Sequence, residues 1–291
     1  PNTVDFVNRE LKEAYAAGIQ DYWIINSSNI RPHAYYLDAI KKLWYGETVS
    51  DASQSRQFAD TYYHGSDQAA QCLDNYARSL LQYGPFEDQH AGEQFYNYAV
   101  RHMARQFIID RNASSRPLYW LTGDVVLWKQ AEKILQIHEQ GAPAIAAYYK
   151  QCQAASASIQ DPEVKRLFDT TILLQATIHH FCCQGAILFC RGLLEFQAER
   201  YQESFFLLGQ AAEFFTNANQ FMRNCEYDVW KGFYENDCLT DIKFTAYVIW
   251  SVMHVVRVIG DDTRMADWYE DFVRPKADRK VRLLAITQSH M

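Results

Sequence analysis

From Asp21 to Pro32 the chain reads Asp-Tyr-Trp-Ile-Ile-Asn-Ser-Ser-Asn-Ile-Arg-Pro, and this segment limits the possible folds more than any other. Tyr22 to Ile25 is aromatic and β-branched and too short for a core helix, so it predicts a strand over 22–26. Residues 26–31 then bring mainly hydrogen-bonding side chains, and Pro32 suits the opening turn of a helix over 32–45. A helix over 3–17 precedes the strand, with Val4, Val7, Leu11 and Tyr15 on one face and Gly18 as its stop. The result is one αβα unit. A lone strand exposes both backbone edges, and the rest of the chain offers no obvious second strand to pair with it. In α/β folds a polar loop at the carboxyl end of a strand is where ligands sit. The same Asn and Ser residues also suit a plain capping role on the helix that follows.

The remainder reads as helix. Seven prolines and 12 glycines in 291 residues, with 48% apolar and 15% aromatic content, favour long helices over a many-turned β architecture. Residues 46–65 have little apolar periodicity and read as a linker or surface loop. Helices are predicted over 66–83, ending at Gly84-Pro85, and over 88–111, with a loop at 112–122. A helix over 123–140 should stop at Gly141-Ala142-Pro143, with a shorter helix over 144–158. Asp161-Pro162-Glu163 is a strong start signal for a spine helix over 162–198. Its Leu167, Thr171, Leu174, Ile178, Phe181, Gly185, Leu188 and Gly192 form a lengthwise seam whose glycines permit close approach of a neighbour. Helices over 202–222, 240–259 and 263–273 follow, the last before a basic end. No constant period supports a repeat solenoid. The predicted fold is therefore mainly α: a multi-helix bundle over 51–291 preceded by the αβα segment over 1–50.

Charge and cysteine usage narrow the function classes. The formal charge is −7, from 28 basic and 35 acidic side chains, and no basic stripe interleaved with aromatics appears. That argues against nucleic acid and against an anionic membrane as partners. Seven cysteines, including the neighbours Cys182 and Cys183 in an apolar helical run, read as reduced core thiols, which points to the cytoplasm. The amino end has neither a signal peptide's basic and apolar regions nor an initiator methionine, so the chain reads as a fragment, and an upstream signal peptide stays open. The most hydrophobic stretch, 172–196, is interrupted by His179, His180, Gln184 and Arg191 and reads as a buried helix rather than a membrane span.

Few residues form a chemical motif. Glu87-x-x-His90 has the spacing of carboxylate-bridged di-iron bundles, but it occurs once, and capping of helix 88–111 explains it better. His179-His180 near Cys182 and Cys183 has potential ligand types, yet structural zinc sites draw their pairs from separate turns, so core packing is the better reading. No metal or cofactor is expected, and phosphate loops, nucleophile elbows and His-Glu-x-x-His are absent. The loop from Cys225 to Asp237 sets Tyr227, Trp230, Phe233 and Tyr234 among carboxylates. That composition suits sugar stacking or a plug at the end of a bundle.

Residues 17–32 resemble the segment of glycoside hydrolase family 115, the xylan α-glucuronidases, that reads roughly Gly-x-x-x-x-Trp-Ile-Val-Asn-Val-Gly-Asp-Ile-Lys-Pro. Tyr83 to Gln94 and Trp230-Lys231-Gly232-Phe233-Tyr234 agree in kind with later parts of that family. The resemblance implies that the strand belongs to the end of a catalytic (β/α)8 barrel, with the helical region a separate domain beside it. It implies a carbohydrate-active hydrolase that releases glucuronic acid or its 4-O-methyl ether from decorated xylan. The implied partners are a glucuronic-acid-containing saccharide and an amino-terminal barrel portion of the same protein; a homodimer is left open. Asn26 matches the family's Asn after the strand, and Arg31 matches its Lys before Pro. Asn29 replaces the family's Asp and so removes a carboxylate. With His33, these are the substrate-binding candidates. The resemblance also implies inversion at the anomeric carbon by an acid and a base on barrel strands upstream, which would leave this chain without a complete site. A non-catalytic helical scaffold that binds protein partners is the alternative.

Overall fold

The computed structural model describes residues 2–27, 30–235 and 240–260. Asn29 and the helix predicted over 263–273 lie outside the described residues. Among the described residues there are eleven α-helices and no strand: α1 Val4–Ala16, α2 Ile30–Trp44, α3 Asp51–Tyr62, α4 Asp67–Asn75, α5 Glu93–Asp110, α6 Tyr119–Thr122, α7 Leu127–Ser158, α8 Pro162–Phe168, α9 Leu174–Gln197, α10 Tyr201–Asn224 and α11 Ile242–Gly260. The mainly helical reading holds, but residues 22–27 form neither helix nor strand. A strand needs a ladder, and the described backbone supplies only one isolated bridge, between Gln82 and His90.

The chain divides into two units. The first comprises residues 1–94, 140–180 and 220–237, and it contains all of the 1–50 segment. Its core gathers Tyr35, Phe58, Tyr63, Tyr148, Phe168 and Ile172. The second comprises residues 95–139, 181–219 and 238–291. Tyr96, Met103, Phe107, Phe189, Leu193 and Phe215 are fully buried there.

Caps explain several boundaries. Thr3 accepts a bond from the Phe6 amide at the start of α1. Asp161 accepts from Glu163 and Val164 at 2.8 and 3.1 Å, the cap its sequence signals. Helix α8 then passes through a π-helical turn, Asp169–Leu173, into α9.

Two expectations need correction. Residues 46–65 are not a linker, because α3 lies within them, opened by a capping box between Ser50 and Ser53. Its inner face is Asp51, Gln54, Ser55, Phe58 and Ala59, so helical spacing is present but most of the buried positions are polar. Gln54 explains how such a face is tolerated: it donates to the Tyr35 carbonyl and to Asp38 and accepts from Lys42. Ser50→Ala should lower stability by about 1 kcal/mol in urea unfolding through loss of the cap.

The second correction concerns Gly141-Ala142-Pro143, which does not end a helix: α7 continues through an internal Pro143. Pro143 removes one backbone donor, a cost of about 3 kcal/mol in a helix interior. Continuing the helix buries Ile145, Tyr148 and Cys152, which offsets that cost. Gly141 is needed for close packing, since a Cβ there would lie 3.0 Å from Leu81 Cγ. Conversely, the helices predicted over 66–83 and 88–111 are shorter. The residues between α4 and α5 fold back on themselves, with Tyr83 donating to the Gln89 carbonyl and Ala91 to that of Leu81.

Candidate functional site

The feature with the most chemical content lies in the first unit, where the start of α2 meets the loop after α10. Pro32 is in the first turn of α2, where its missing N–H costs nothing, and Arg31 precedes it. The Arg31 guanidinium carbon lies 5.2 Å from the centre of the Tyr227 ring and 5.0 Å from that of Trp230. Both Nη atoms are shut off from solvent and have no acceptor among the described residues. Cation–π contact contributes roughly 0.5–2 kcal/mol. A buried charge left without its partner forfeits on the order of 3–5 kcal/mol, so the rings alone do not compensate Arg31.

The loop's own geometry is firmly specified. Glu226 accepts bonds from the amides of Gly232 and Tyr234, each at 2.9 Å, and pairs with Arg223 at 3.2 Å. Gly232 has φ +79°, which favours glycine, and Asp228 takes φ +46° despite its side chain. A short 3₁₀ turn, Asp228–Trp230, brings both aromatic rings to Arg31. Arg166 approaches Tyr227 as well, with its guanidinium carbon 4.6 Å from the ring centre, and its contact with Asp228 is long at 3.9 Å and exposed. The π turn is adjacent. The Cys225 thiol contacts the Asp169 carbonyl, and Tyr63 shares a 3.0 Å hydrogen bond with Thr171. Burial pushes the Cys225 thiol up to about 11, against the opposing charge of Arg31.

A concavity of about 350 Å³, also in the first unit, is lined by Tyr15, Trp23 and Trp44 with Lys12 and Glu47. The two indoles meet edge to face at 5.0 Å, and the Trp23 Nε1–H donates to the Ile19 carbonyl. Its outer neighbours Tyr22 and Ile24 are 70% and 84% exposed.

The structure thus joins Arg31 to Tyr227 and Trp230, residues that sequence reasoning had singled out separately. It leaves Asn26 exposed in the irregular segment and places His33 half-buried, two positions along α2 from Arg31 and so off its face. The Trp23–Trp44 cleft was not foreseen, and nothing local in either sequence stretch signals it.

Glu87 pairs with Arg9 at 3.0 Å, and no group of three or more His, Cys, Asp or Glu side chains placed to hold a metal occurs among the described residues. His179 is fully buried beside Glu93 and Tyr76, and Cys182 and Cys183 are core thiols. The six described cysteines are all free and buried. Two helical stretches, Pro162–Gln197 and Ile242–Gly260, are long and apolar enough to cross a membrane. The first is 67% buried within the protein and the second 39%, which leaves Phe244, Tyr247 and Trp250 of α11 exposed.

No protein-family model matches the chain, and no curated protein or solved structure matches it.

Proposed function

We propose that this chain is the helical part of a carbohydrate-active hydrolase similar to the xylan α-glucuronidases of glycoside hydrolase family 115. The observation that supports this reading is the state of residues 22–27. They are Tyr-Trp-Ile-Ile-rich yet irregular, with Tyr22, Ile24 and Ile25 exposed and no ladder partner among the described residues. Such a run gains most by joining a sheet: its backbone donors find acceptors and its apolar side chains leave water, at about 25 cal/mol per Å². In the proposal a (β/α)8 barrel, amino-terminal to this chain in the same protein, supplies that sheet. Tyr22 to Asn26 becomes its last strand, and Asn26 stands at the carboxyl end, where barrel enzymes bind substrate. The general acid and base, roughly 6.5–9.5 Å apart for inversion, come from the upstream strands, and the helical chain supplies the wall. Asn29 brings no carboxylate where the family has Asp, so no acid or base role is assigned to it.

The test is release of glucuronic acid from decorated xylan by this chain alone and by the protein that carries the barrel. Release should occur only with the barrel present. In that protein Asn26→Ala should lower kcat/KM roughly tenfold or more, the loss of about one hydrogen bond in the transition state, with little change in melting temperature. No release by the barrel-bearing protein overturns the reading. The competing scaffold reading draws on the exposed Phe244, Tyr247 and Trp250 of α11, and it requires release in neither case.

A further inference from the structure

We infer that Arg31, framed by Tyr227 and Trp230, is the seat of a ligand carboxylate. The argument starts from incomplete hydrogen bonding. Other arginines of the first unit have acceptors: Arg78 reaches Asp51 at 2.5 Å and Asp74 at 3.2 Å, and Arg56 pairs with Asp60 at 2.9 Å and with Asp67. Arg31 has two buried Nη atoms and no acceptor among the described residues. Its ring contacts engage the π-face of the cation and leave the in-plane N–H groups unused.

Charge bookkeeping around the rings points the same way. Arg31 and Arg166 both approach Tyr227, while Asp228, the carboxylate that Arg166 meets, is highly exposed and 3.9 Å away. Glu226 cannot serve, because its two oxygens are committed to the Gly232 and Tyr234 amides and to Arg223. The seat therefore has an unsatisfied forked cationic donor and two aromatic walls. A planar carboxylate satisfies the fork bidentately, and the walls suit an attached pyranose ring. The preference for a sugar acid rests on the hydrolase reading, whereas the carboxylate seat stands without it.

The experiment is calorimetric titration of the 291-residue chain with glucuronate, glucose and acetate, with thermal melts of every variant. Glucuronate should bind at least tenfold more tightly than glucose and raise the melting temperature. Arg31→Lys keeps the charge and loses the fork, and it should weaken glucuronate at least tenfold, as should Arg31→Ala if it folds. Acetate binding as tightly as glucuronate supports the seat and removes the contribution of the sugar ring. Equal affinity for glucuronate and glucose, no binding of any of the three, or unchanged glucuronate affinity in Arg31→Lys each overturns the inference. Failure of the hydrolase reading shows elsewhere, as absent glucuronic acid release by the barrel-bearing protein.

Discussion

Phe215→Ala is expected to destabilise the protein by about 3–5 kcal/mol, measured by urea unfolding, and to do so through a partner identified in advance. Phe215 is fully buried on α10, and its ring lies against Gly185 of α9 so closely that a Cβ there would sit 2.7 Å from Cε2 and 2.8 Å from Cδ2. Gly185→Ala should therefore cost about 1–3 kcal/mol by overpacking, despite the better helix propensity of alanine. The double substitution should cost clearly less than the sum, because removing the ring makes room for the new methyl group. Strict additivity would show that the two residues do not share this contact. Gly192 repeats the design two seam positions later, where a Cβ would meet Leu208 Cγ at 2.8 Å.

Glu93→Gln should change how stability depends on acid. Burial disfavours the Glu93 carboxylate, but the His179 imidazole, with Nε2 3.7 Å away, outweighs it and holds the group down at about 2. Tyr76 adds a hydroxyl 3.3 Å from the same oxygen and 3.2 Å from the His179 ring nitrogen. The folded value lies below the ordinary glutamate value of 4.5, so the unfolded chain binds the proton more readily. The stabilisation is therefore fully present above about pH 4.5 and is lost as pH falls through about 2. It amounts to about 2–3 kcal/mol, with some reduction for a side chain 26% exposed to solvent. Denaturation midpoints measured from pH 6 to pH 2 should fall less steeply in Glu93→Gln than in the unaltered protein. Parallel curves would remove this carboxylate from the account.

Features set by neighbouring residues were legible in advance. The Asp161-Pro162-Glu163 start, the extent of α1, α2, α10 and α11, and the glycine seam of α9 all follow from caps and periodicity. Failures occurred where a distant contact overrode a local signal. Helix α3 was hidden because its buried face uses Asp51, Gln54 and Ser55, each made tolerable by a bond to another element or to its own turn. Asp51, for example, accepts from the Val4 amide and from Arg78, each at 2.5 Å. Pro143 was read as a stop because a single sequence does not show the burial that keeps α7 intact.

The candidate site divides in the same way. Sequence marked Arg31 and the aromatic loop 225–237 as two separate possibilities, nearly two hundred positions apart, and composition alone left each one ambiguous. Only the fold places the Tyr227 and Trp230 rings on the Arg31 guanidinium and leaves its Nη atoms without an acceptor among the described residues. The sequence by itself determined the extent of α1, α2, α10 and α11 and the small-residue seam of α9, because caps and periodicity depend on side chains within a turn or two of each other. Tertiary structure decided which polar groups are buried and which of them lack a partner, because burial is set by residues far away in the chain.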